Sequence, residues 1–284
     1  MRRHMFSVSL LAGGIVWAVL ASSSRAADVT LTVEEPSGVG REAWPVTSGI
    51  PLAEGELKDP QAVALLDDGG RRRPLQTEAL ARWPDGSVRW LLVDFQVDLE
   101  PSRQKTFRLE YGADVRREPV PDPIRADLRA DGVEIHTGPM RLVLTSAGFR
   151  LLDGVWLDAN ADGVFADNER VTAAEEAGIV LTTPDGKVFR ADLAAARIEL
   201  EQSGPLRVCV RIEGDHAGSD GKRFRYVVRL HAYRGLPLVR MFYTFVNDRA
   251  QEMMSQIDAL DLVFTTAGTP AKEAVLDGAQ GPGG

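Results

Sequence analysis

Residues 158–169 (DANADGVFADNE) fit the pattern D-x-[DN]-x-[DN]-G-x5-E at every fixed position. That spacing gathers hard oxygen donors around one cation. Side-chain oxygens of Asp158, Asn160 and Asp162 would converge, with the carbonyl of Val164 turned inward and Glu169 closing the site with two oxygens. Gly163 permits the sharp turn between them. The expected cofactor is calcium in a structural role, because the protein ligands fill most positions around the ion and leave little room for a substrate. The flanking residues 149–157 look extended, and Arg170-Val171-Thr172 follows Glu169 where an EF-hand would start a helix. The loop is therefore expected alone, between β-elements. The competing reading is an Asp/Asn/Gly surface turn with no ion.

A second group lies near the other end of the chain. Arg229, His231 and Tyr233 are two apart on a predicted strand and so share one face. These residue types suit a carboxylate partner, a base and an acid in an elimination, and they are the expected substrate-binding residues. The same alternation also describes any half-buried strand. Residues 81–95 (ARWPDGSVRWLLVDF) place Trp83, Arg89 and Trp90 near a Pro84-Asp85-Gly86 turn, either a sugar-stacking surface or a plain hairpin. His136 and His216 stand alone, and no His/Cys spacing suggests zinc. Cys209 is the single cysteine, which excludes an internal disulfide and is expected to be a buried spectator. No nucleophile elbow, Walker loop or three-glycine dinucleotide motif is present.

The elements that must position these residues read as strands. Period-two alternation predicts them at 29–34, 62–66, 75–83, 87–97, 105–111, 124–129, 133–136 and 141–145, then 179–183, 197–202, 206–214, 223–233, 236–247 and 257–265. Only 173–177 and 250–254 look briefly helical, and Arg71-Arg72-Arg73 is expected in a turn. The fold class is all-β. The proline-rich stretch 115–122 reads as a linker between a small barrel over 27–114 and an antiparallel sandwich over 123–273. Residues 274–284 form a Gly/Pro-rich tail.

Residues 1–26 carry a basic start, an apolar run at 6–20 and Ser24-Arg25-Ala26, as a cleaved secretory signal does. That run is shorter than the ~20 residues a membrane span needs, and no later segment is longer. The mature chain is expected to be secreted or periplasmic. With 33 Lys+Arg against 41 Asp+Glu, the net charge of −8 excludes nucleic acid as an expected partner. Oligomeric state is not encoded in any pattern found.

Three groups of segments carry a family resemblance. Residues 33–51 (VEEPSGVGREAWPVTSGIP), Lys58-Asp59-Pro60 and 81–95 resemble the RIFT barrel that opens the PcRGLX/YetA-like proteins. Residues 204–211 (GPLRVCVR), 224–231 (FRYVVRLH) and 236–247 are similar to that family's central β-sandwich, the run WPDGSVRW being the most specific part. The resemblance implies a polysaccharide lyase of exo-rhamnogalacturonan type, with uronate-containing polysaccharide or oligosaccharide as partner. It also implies a third domain, an α/α toroid, which is not found before residue 284. The expectation is thus an exported, truncated barrel-plus-sandwich portion, associated with pectic glycan and inactive alone, with catalytic residues unassigned. The alternative is a complete, non-catalytic carbohydrate-binding or scaffold protein.

Overall fold

The computed structural model describes residues 26–173, 178–247 and 254–267. Nearly all of the expected leader and both expected brief helices, and the whole tail, lie outside these residues. The first seven strands are β1 (Ala27–Glu34), β2 (Arg41–Pro51), β3 (Val63–Asp67), β4 (Arg72–Arg73), β5 (Gln76–Arg82), β6 (Val88–Leu99) and β7 (Gln104–Tyr111). They pair antiparallel in two sheets, ordered β1-β7-β3-β4 and β2-β6-β5. Between the sheets lies one core that includes Val63, Leu65, Leu91, Val93, Phe95 and Leu109.

Eleven further strands form the second unit. A smaller sheet holds β8 (Arg125–Arg129), β9 (Gly132–His136), β10 (Met140–Thr145) and β11 (Gly154–Leu157) in antiparallel order β11-β10-β9-β8. The larger sheet holds β12 (Gly178–Thr182), β13 (Val188–Arg190), β14 (Arg197–Ser203), β15 (Arg207–Gly218), β16 (Gly221–Tyr233), β17 (Val239–Val246) and β18 (Ala259–Val263). Its order is β17-β16-β15-β13-β12-β18, with β14 also paired to β15. Alternation decides which side faces in. Met140, Leu142 and Leu144 of β10 meet Val208, Val210 and Ile212 of β15 and Val228 and Leu230 of β16 in a single cluster. The intervening residues of each strand face away from that core.

The all-β reading holds, and the fourteen strands expected from alternation all form, within a few residues. Of the four further strands, β11 falls within the stretch 149–157 that looks extended, and the other three show no such signal. β2 contains Pro45, Gly49 and Pro51 and a bulge between Arg41 and Trp44. Proline removes a ladder donor, and β2 tolerates it because it is an edge strand, paired only with β6. β13 has three residues, too few for a period. Arg72 and Arg73, expected in a turn, pair with Leu66 and Leu65 as the short β4.

The two units meet through polar contacts. No hydrophobic cluster of described residues joins strands of one unit to strands of the other. Instead, the Gln76 amide oxygen accepts from the backbone N–H of Leu206 and of Arg207, both at 2.9 Å, and its nitrogen donates to the Arg207 carbonyl at 3.2 Å. Gln96 donates to the Arg234 carbonyl at 2.8 Å, and Gln202 donates to Glu78 at 2.6 Å.

Candidate functional site

The densest polar constellation starts at this junction and runs onto the outer face of the large sheet. The Arg207 guanidinium is 5 % exposed and pairs with the equally buried Asp94 of β6, Nε to Oδ1 at 2.8 Å and Nη2 to Oδ2 at 3.1 Å. Thr47 donates to the same carboxylate at 2.5 Å. Burial raises the Asp94 carboxyl above its usual range, and Arg207 and Thr47 offset only part of that rise. Arg207 then reaches His231, Nη1 to Nδ1 at 2.8 Å.

Because a guanidinium only donates, Nδ1 of His231 must accept, and the ring proton sits on Nε2. Nε2 faces Cys209 Sγ at 3.7 Å, and the thiol donates to Glu201 at 3.4 Å. Glu201 is held in turn by Arg229 through two hydrogen bonds of 2.6 and 2.8 Å. Burial first, then the neighbouring Arg207 charge, push His231 down to about 4. Burial, reinforced by the Glu201 charge, pushes the Cys209 thiol up to about 12. The thiol is 2 % exposed and is not a nucleophile in this state.

Arg229, His231 and Tyr233 do share one face, but the structure gives them unlike surroundings. Arg229 is spoken for by Glu201. His231 has no free lone pair with which to take a proton. Tyr233 lies across from Arg207 in the ladder and is only 3 % exposed, so it is not presented to a ligand. Alternation finds the shared face correctly. It does not register that the barrel covers one end of that face.

Two neighbours that sequence reading passed over are better exposed. Arg240 and Phe242 of β17 stand opposite His231 and Arg229 in register. Phe242 is 52 % exposed and meets the His231 ring edge-on at 5.4 Å between centroids. Arg240 is exposed and has no carboxylate partner among the described residues. Their signal was present in the alternation of β17, where Val239, Met241 and Tyr243 pack against the core. Beside Glu201 the junction opens into a cleft of about 470 Å³, lined from both units by groups such as Glu78, Arg117, Gln202 and Ser203.

The expected calcium loop closes on itself. Asp158 accepts from the N–H of Asp162 and Gly163 at 3.1 and 2.9 Å, and Asn160 Oδ1 from Asp162 N–H at 2.9 Å. Asp162 accepts from Val164 N–H at 2.8 Å, and Glu169 from Ala159 and Ala166 N–H at 3.2 and 3.0 Å. Gly163 sits at φ +76°, which a side chain would resist. A short 3₁₀ turn, Asp167–Glu169, ends the loop. Among the described residues, no three His, Cys, Asp or Glu side chains are gathered closely enough to grip a metal.

Residues 81–95 form the tip of the β5–β6 hairpin. Arg89 stacks on Trp83 at 4.7 Å, and Trp83 Nε1 donates to the Leu52 carbonyl at 3.0 Å. Trp90 packs over Gly49, where a Cβ would meet its ring. Two of these three residues thus spend their surfaces on each other.

Comparison with known proteins bears on both units. Residues 37–109 match the PcRGLX-like N-terminal RIFT barrel domain, and residues 124–272 match the PcRGLX-like protein central beta sandwich domain. The chain is also 26 % identical over 227 residues to the "Uncharacterized protein YetA" of Bacillus subtilis (strain 168). That alignment takes in 76 % of this chain and 25 % of YetA, so the chain spans about a quarter of the length of this curated relative. With both β-units matched in order along most of its length, the chain belongs to the PcRGLX/YetA-like family.

Proposed function

We propose that the barrel and sandwich form a glycan-handling unit that associates with uronate-containing, rhamnogalacturonan-like polysaccharide at the outer face of the large sheet. The observation that carries this reading is the pair Arg240 and Phe242: an exposed ring next to an exposed guanidinium that has no carboxylate partner among the described residues, on the same sheet face as His231 and Arg229. An aromatic face suits the apolar side of a sugar ring, and a guanidinium suits a uronate carboxylate. Elimination at a uronate also needs a base for the ring proton. His231 supplies none in its locked tautomer, so the expected activity of this chain alone is association without cleavage.

Calorimetry with rhamnogalacturonan oligosaccharides tests the reading. The chain should bind, and Phe242→Ala and Arg240→Ala should each weaken binding about tenfold. Unchanged affinity in both variants would remove the assignment, and steady release of unsaturated product would refute the absence of cleavage. The leader-like residues 1–26 support export. N-terminal sequencing of protein from the producing cell should begin at Ala27, and an intact leader would count against it.

We further propose calcium as a structural ligand of the loop, held by Asp158, Asn160, Asp162, the Val164 carbonyl and Glu169. The donors are all oxygens, in the order such loops use, and each accepting oxygen keeps a second lone pair. Bound calcium would pin the loop between β11 and β12. Millimolar calcium should raise Tm by linkage, and Asp158→Ala should abolish the rise. A melting curve indifferent to calcium would sink the proposal.

A further inference from the structure

The opposite outer face of the sandwich, on the smaller sheet, carries a row of side chains that nothing above uses. Arg125 of β8 is the ladder partner of His136, which partners Arg141, which partners Trp156, which bridges to Arg170. The five residues run across four inter-strand gaps, about 19 Å in all at ordinary strand spacing. In a chain whose net charge is −8, three arginines in one row are a local inversion of sign.

The row is also under-neutralised. Glu134 is shared by His136 at 2.9 Å, Arg141 at 2.7 Å and Arg129. One carboxylate cannot balance that group. Arg125 is exposed and has no partner among the described residues. Arg141 commits only its Nε to Glu134. Arg170 gives one nitrogen to the Asp153 carbonyl at 3.0 Å, while its buried Nε meets no acceptor. Asp127, opposite Glu134 in the ladder, stands in the next row. Asp158, Asp162 and Glu169 of the neighbouring 158–169 loop accept from that loop's own backbone.

Trp156 sets the geometry. Its ring lies over Gly154, with the Arg141 guanidinium 4.5 Å and the Arg170 guanidinium 5.1 Å from its centroid. Stacking on an indole restrains a guanidinium plane, which fixes the direction in which its remaining N–H groups point. Phe165, from the loop, holds the His136 ring at 5.6 Å. The result is a preorganised line of donors with vacant bonding capacity, matched to a ligand that repeats carboxylates along its length.

We propose that this row is a second glycan site, which binds an oligouronide through its carboxylates, with Arg125, Arg141 and Arg170 as contacts and Trp156 as a positioning residue. The sugar class rests on the glycan reading given above; the site does not. The probe is oligogalacturonate, titrated against the full chain beside its fully methyl-esterified form and inorganic polyphosphate of similar charge.

Oligogalacturonate should bind, and should weaken at higher salt. Arg125→Gln, which disturbs no internal contact, should cost about threefold, and Trp156→Ala tenfold or more, with Trp156→Phe restoring part of the loss. Should Trp156→Ala fail to fold, Arg141→Gln takes its place. Unchanged affinity in the Arg125 and Trp156 variants overturns the row, as does equal binding of the methyl ester or of polyphosphate. The two sites are separable. Loss of binding in Phe242→Ala alone leaves the earlier reading standing and removes this one; loss in the row variants alone does the reverse.

Discussion

Arg207 is the residue on which the junction turns, since it closes an ion pair with Asp94 and fixes the tautomer of His231. Replacing it by methionine leaves a buried carboxylate without its counter-charge, a change that costs roughly 3–5 kcal/mol in comparable pairs. The loss should depend on pH, and its sign follows from Asp94. That carboxyl is already raised in the folded state, by burial before anything else, and loses its main offset in the variant. A raised group contributes stability that is whole below its unfolded value, about 3.9, and is lost as pH climbs through the folded one. His231, relieved of the Arg207 charge, moves in the same direction. The Tm deficit of Arg207→Met against the parent chain should therefore be smallest near pH 4 and widen toward pH 7. A deficit independent of pH would mean that Asp94 is not the group left stranded. Neither Asp94 nor Arg207 stands out in the sequence. Each sits in an ordinary alternating strand, and their pairing joins positions that only the packing of two units brings together. Arg229, His231 and Tyr233 were legible as one face because spacing alone decides that; which of them meets solvent was not.

At the scale of elements, the junction is made by a side chain that behaves as backbone. The Gln76 amide donates and accepts along the start of β15 as a neighbouring strand would, and so extends β5 of the barrel onto the sandwich. It can do so because Gly204 leaves room: a Cβ there would fall onto the Gln76 amide. Gly204→Ala and Gln76→Ala should thus injure the same contact from opposite sides. Each strands the N–H groups of Leu206 and Arg207, at about 1–3 kcal/mol per buried group, and the double variant should lose much less than the sum of the two. Strictly additive losses in urea unfolding would show that the two residues act separately. Strand positions themselves were legible from period two, because one face of nearly every strand is wet and the other is core. The signal fails at β2, whose prolines are tolerated at an edge, and at β13, which is shorter than a period. The loop at 158–169 was legible for a different reason: its turn needs Gly163 and its backbone needs acceptors at fixed offsets.

For the whole molecule, the question is whether two separate hydrophobic cores behave as two proteins. Each core is self-contained, and what joins them is polar: the Gln76 clamp, the Asp94–Arg207 pair, and the contacts of Gln96 and Gln202. Such contacts stabilise only while both sides are folded. Unfolding of either unit breaks them all at once, at a net loss of about 1 kcal/mol per hydrogen bond and more for those to charged groups. The two units should therefore unfold together. The tryptophans allow this to be seen, since Trp44, Trp83 and Trp90 lie in the barrel and Trp156 alone lies in the sandwich among the described residues. In a Trp156→Phe background, fluorescence follows the barrel, while far-UV dichroism follows both units. Urea midpoints from the two signals should coincide in that background and separate when Gln76→Ala and Asp94→Asn are added. Midpoints already apart before those changes would show that the polar junction does not couple the units. Coincidence that survives both changes would place the coupling elsewhere, with the connection 112–124 and its Arg117 contacts to Leu75 and Thr77 as the next element to remove.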